Sequence, residues 1–144
     1  MSDEACPLPS PVGASEAEAV QACLGMHRIA VVGASDDGNR AGNYVPAYLR
    51  DVGYEIVPVN PTHARVLGQV CHPSLAAVPP PVDLVLVFRR PEFCAGVARE
   101  AVAAGARGVW LQAGIRSAEA KTVAQEAGLW YVEDRCMMVE ARRK

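Results

Sequence analysis

Three apolar runs, IAVVG over 29–33, DLVLVF over 83–88 and GVWLQ over 108–112, are continuous rather than alternating. A strand that is apolar at nearly every position is covered on both faces, which is the pattern of central strands in a parallel sheet flanked by two helical layers. Five strands are predicted, at 29–33, 55–59, 83–88, 107–111 and 130–133, with helices at 41–52, 92–104 and 117–127 between them. Gly53, Gly105 and Gly128 each follow a helical stretch and precede a strand, where a left-handed cap is wanted. This repeated punctuation predicts a doubly wound α/β parallel sheet of five strands. The right-handed crossover rule suggests the order 3-2-1-4-5, with a ligand crevice at the carboxyl ends of strands one and four.

Ahead of the first strand, Ser15 and Glu18 have the spacing of a capping box, and Val20, Cys23 and Leu24 share one side of the helix that would follow. Residues 1–14, with Pro7, Pro9 and Pro11, read as a flexible lead, and 15–144 as a single domain. The stretch from Pro61 to Pro81 is less regular. Val66 to Val70 suggests a short extension, Ser74 to Val78 a single helical turn, and Pro79 to Pro81 a stiff entry into strand three.

Composition narrows the function classes. At 144 residues with 51% hydrophobic content and a formal net charge of -2, the chain reads as globular and has no electrostatic attraction to nucleic acid. The five cysteines are odd in number and lack a CxxC pair or a zinc-ligand spacing, which points to reduced thiols and a cytoplasmic setting. No stretch has the length and apolarity of a membrane span, and the start lacks the order of a secretion signal.

The candidate chemistry gathers at strand ends. RIAVVGAS, from Arg28 to Ser35, is a strand running into a small-residue turn ahead of a helix, the context in which backbone N–H groups approach a phosphate. Gly33, Gly38 and Gly42 do not follow GxGxxG spacing, while Ser35, Asn39 and Arg40 supply hydroxyl, amide and guanidinium groups. Strand two ends in Asn60-Pro61, where an NAD-binding dehydrogenase places a carboxylate for the ribose diol. Asn60 is neutral and fits either a neighbouring phosphate or an Asx turn. Phe88-Arg89-Arg90 joins an aromatic face to two guanidinium groups, suited to a purine and a phosphate. Gln112 closes strand four. His27, His63 and His72 have no triad or metal spacing, and no catalytic centre or metal site can be assembled. Cys136, beside Arg135, is the one candidate reactive thiol, with a buried small hydrophobe as its alternative.

Taken in order, VVGAS, GYEIVPVNP, VLGQVCHPSL, VDLVLVFRRP, GARGVWLQAGI and the DRC triplet ending at Cys136 cover about residues 28–138. Together they resemble the stand-alone bacterial CoA-binding proteins, a Rossmann-like family related to the N-terminal domain of the succinyl-CoA synthetase alpha subunit. The resemblance implies coenzyme A or an acyl-CoA as the ligand. Gly33, Ala34 and Ser35 would lie at its pyrophosphate, Asn60 and Pro61 at the adenosine end, Phe88, Arg89 and Arg90 beside the nucleotide, and Gln112 near the pantetheine path. Arg40 is a weaker transfer, because that loop varies within the family. The larger relatives' catalytic histidine belongs to a domain absent here, so the reading is binding without independent catalysis. Two alternatives stay open at this point. One is an NAD(P)-dependent oxidoreductase, with Arg40 or Arg65 meeting a 2′-phosphate; the other is a nucleotide-sensing redox protein using Cys136. A protein partner or homo-oligomer is compatible with either.

Overall fold

The computed structural model describes Pro11 and residues 13–144, so most of the expected lead over 1–14 lies outside the described residues. Helix α1 (Glu16–Leu24) starts with the expected capping box: the Ser15 side chain accepts from the Glu18 amide and the Glu18 carboxylate accepts from the Ser15 amide. There follow β1 (Arg28–Val32), α2 (Ala41–Asp51), β2 (Glu55–Val59), and a small antiparallel hairpin of β3 (Arg65–Val66) and β4 (Gln69–Val70). A single 3-10 turn at Leu75–Ala77 leads to β5 (Leu84–Val87), α3 (Pro91–Ala103), β6 (Gly108–Leu111), α4 (Ala118–Glu126), β7 (Trp130–Val132) and α5 (Met137–Arg143). Gly53, Gly105 and Gly128 have φ of 114°, 76° and 76°, the left-handed caps expected of them.

The five long strands form one parallel sheet in the order β2-β1-β5-β6-β7. The α/β class, the strand count, the parallel sense and the N-terminal helix are as the sequence predicts. The order is not: in long-strand numbering it is 2-1-3-4-5, with strand three (β5) paired directly to β1 instead of lying outside β2. Pro58 gives a physical reason. It sits inside β2 opposite Val31 and has no N–H to donate, so β2 is suited to an edge and poorly suited to an internal position. The winding therefore reverses between β1 and β5, and the ligand crevice belongs at their carboxyl ends, not at those of strands one and four.

Strand periodicity divides the interior into two layers. Ile29, Val31, Leu84, Leu86 and Trp110 pack with α1, α2 and α5, whereas Ala30, Val32, Val85, Val87 and Val109 pack with α3 and α4. All four residues of β5 are fully buried, which accounts for its unbroken apolar run. Helix α5 has no counterpart in the sequence expectation; Met137 anchors it to the first layer. No helix among the described residues is long and apolar enough to cross a membrane.

Candidate functional site

The connection from β1 to α2 is held by main-chain packing. Gly33 donates to the Val59 carbonyl at 3.0 Å and has φ of 90°. A Cβ there would lie 2.9 Å from the Phe88 carbonyl oxygen, so both conformation and space call for glycine. A Cβ on Gly42 would lie 2.8 Å from the Gly33 carbonyl oxygen. Four residues beyond Gly42 comes Pro46, inside α2 and without an N–H. The Gly42 carbonyl thus loses its helical donor and instead accepts from the Ser35 amide at 3.1 Å. Proline here stitches the loop to its helix.

Side chains complete the turn. Ser35, buried, accepts from the Asp37 amide through Oγ, and Asn43 Nδ2 donates to the Ser35 carbonyl at 2.8 Å. Asn60 commits both ends of its amide: Nδ2 donates to the Ala34 carbonyl at 2.8 Å, and Oδ1 accepts from Thr62 N and Oγ1. It is an Asx turn and also a tie between the loops after β2 and β1. The amides of Gly33 and Ser35 are spent internally, whereas those of Ala34, Asp36, Ala41 and Gly42 have no acceptor among the described residues.

The helix starts differ in their caps. α1 and α4 are capped by Ser15 and Ser117, while α2 and α3 have Arg40 and Arg90 at the cap position and no side-chain cap bond. With no acidic residue in its first turn, α2 presents orphan N–H groups and the positive end of its dipole at the crevice. This arrangement favours an anion.

Beside it lies a groove of about 330 Å³, lined by Gly33, Asn60, Pro61, Ser74, Arg89 and Glu100 among others, a size in the range of small-ligand pockets. Four of the sequence-predicted residues, Gly33, Asn60, Pro61 and Arg89, meet there. Arg89 is half-buried, has no carboxylate within ion-pair distance among the described residues, and lies 4.4 Å above the Phe93 ring. Arg90 stands 5.4 Å from the same ring and 3.6 Å from Glu92, an exposed pair worth little. Phe93, 40% exposed, is the available aromatic face; Phe88 is half-buried and packs on the core. Phe93 was legible once α3 is started at Pro91, since it falls four and three residues after the two arginines. Arg40 is exposed and makes no side-chain bond within the described residues.

Gln112 lies outside the groove lining. It is buried, and its Oε1 accepts from the Met137 amide at 3.3 Å, capping α5. The DRC triplet is a clasp around it. Asp134, at φ of 56°, accepts from the Gly114 amide at 2.7 Å and pairs with Arg116 at 2.8 Å. The Gly114 hydrogen bond and then Arg116 hold the Asp134 carboxyl below its ordinary value. The Arg135 carbonyl accepts from Trp110 Nε1 at 2.8 Å, and its guanidinium joins Glu16 of α1 to Glu140 of α5. Cys136, half-buried, sits at the start of α5. Burial pushes the Cys23 thiol up to about 12 and raises Cys71 and Cys94 as well.

Comparison with known proteins identifies the family. Residues 27–142 match the family described as CoA binding domain. The Bacillus subtilis protein YneT is 40% identical over 125 residues, covering 87% of this chain and 93% of that one. A solved Thermus thermophilus structure has 40% identity and a TM-score of 0.83, covering 90% of this chain and 98% of its own. An acetate–CoA ligase (ADP-forming) of Archaeoglobus fulgidus is 36% identical over 59 residues, which are 41% of this chain and 9% of the ligase. With the family model matched over residues 27–142 and a relative 40% identical over most of both chains, this chain belongs to the CoA-binding domain family.

Proposed function

We propose that the protein binds coenzyme A, free or acylated, in the cytoplasm and does no chemistry on it by itself. The observation that carries this reading is the set of unpaired amides at Ala34, Asp36, Ala41 and Gly42, at the uncapped start of α2 and next to the groove. These would hold the diphosphate, with Gly33, Ala34 and Ser35 giving the turn its close approach and Arg40 adding charge at the rim. Asn60 and Pro61 border the adenosine end. Arg89, without an ion-pair partner among the described residues, would offer its guanidinium to the 3′-phosphate, and Phe88, Arg90 and Phe93 would flank the nucleotide. The pantetheine arm would run toward the β6 end, where Gln112 fixes the start of α5. Among the described residues no hydrogen bond at the groove joins a hydroxyl or thiol to a histidine or carboxylate, which favours binding over catalysis.

Isothermal calorimetry with CoA, acetyl-CoA, NAD and NADP tests the proposal. Heat with the CoA species is expected. No heat with either, alongside clear NADP binding, would replace it with the oxidoreductase reading. The mass of any small molecule released on denaturing the purified protein would identify the acyl group.

A further inference from the structure

His63 is the one histidine of three at the crevice. His27 lies at the opposite end of the sheet beside Glu55, and His72 lines a separate groove outside β2 with Arg28 and Arg50. His63 Nδ1 stands 3.9 Å from Asp36 Oδ2, so the pair bridges the connection after β2 to the loop after β1. The histidine side chain is 29% exposed and the carboxylate 64%. Asp36 also owns one of the loop amides that have no acceptor among the described residues, so its negative charge sits on the rim that the diphosphate would approach.

The other charges nearby have separate engagements. Asp37 accepts from the Asn39 amide and Arg65 is turned to the Gly68 carbonyl at 2.7 Å, while Arg40 is exposed with no partner among the described residues. Arg89 and Glu100 line the groove itself. Histidine is the side chain whose charge changes between about pH 5 and 8. We propose that His63 is a proton-dependent counter-charge for Asp36: protonated, it neutralises the carboxylate and admits the diphosphate, and neutral, it leaves the carboxylate to repel it. This rests on the loop being the diphosphate site.

Dephospho-CoA is the suitable probe, because it carries the diphosphate without a phosphate monoester that would itself titrate at about pH 6. Calorimetry at low salt should show wild-type affinity rising about three- to fivefold from the alkaline to the acid end, the size expected for one charge a few ångströms away in a watery setting. His63→Gln should stay at the alkaline value throughout. Asp36→Asn should bind tighter than wild type at the alkaline end and respond less to pH, and His72→Gln should keep the full response. A flat wild-type profile, or a full response in His63→Gln, overturns the proposal while leaving the site assignment standing. No binding at any pH removes both.

Discussion

Arg89→Ala separates the two phosphate groups of the ligand. Among the described residues the Arg89 guanidinium has no acidic partner to orphan, and its contact with Phe93 is worth about 0.5–1 kcal/mol at an exposed site, so the variant should fold. If Arg89 meets the 3′-phosphate, its removal deletes one charge-assisted contact in a partly desolvated groove, costing on the order of 1.5–3 kcal/mol. At about 1.4 kcal/mol per factor of ten, CoA affinity should fall roughly tenfold to a little over a hundredfold. Dephospho-CoA, which lacks that phosphate, should lose about twofold or less, within the spread of a surface substitution. Calorimetry of both ligands against both proteins gives the four constants needed, and thermal melts confirm folding. Equal losses for the two ligands would refute the placement, because an arginine serving the diphosphate cannot distinguish them.

Three further outcomes follow from the geometry. Gly33→Ala should lower stability by about 1–3 kcal/mol with CoA absent, because its Cβ meets the Phe88 backbone at a positive φ; an unchanged melting temperature would show that the turn relaxes freely. The Asp134 carboxyl is held low in the fold, so its contribution is present above the unfolded carboxylate value near 4 and is lost as pH falls through the folded one. The melting-temperature gap between wild type and Asp134→Asn should therefore be full near neutrality and shrink below about pH 4, and a gap independent of pH would remove the charge from the explanation. Alkylation of the native protein at mildly alkaline pH should spare Cys23, Cys71 and Cys94, whose thiols burial keeps protonated. Mass spectrometry showing them modified as fast as in urea would contradict the packing.

The sheet was legible because β1, β5 and β6 are buried on both faces, leaving an apolar run that only a two-sided layer explains. Strand order was harder to read, since crossover handedness admits both arrangements, and the deciding residue, Pro58, acts by an absent donor. Helix α5 escaped notice because seven residues with three charges at the end give little periodic signal; a buried glutamine cap and one methionine hold it. At the site, Gly33, Asn60, Pro61 and Arg89 come together as their strand-end positions suggest. Phe88 and Gln112 sit at strand ends too, yet one faces the interior and the other a helix start, a distinction set by side-chain direction that spacing does not carry. Ser35 and Asn60 are occupied by their own neighbours, a use short polar side chains in turns often have.

The imide at Pro46 has a consequence for how this rim can change. With Gly42 released to anchor Ser35, and with Phe88 bearing on Gly33, backbone contacts and the Asn43 and Asn60 amides hold the path of the connection, while Gly38 brings no side chain and those of Asn39 and Arg40, both exposed, make no hydrogen bond among the described residues. Natural drift or a directed library at those three codons can therefore retune which anionic molecule is accepted, and the scaffold beneath will tolerate the search.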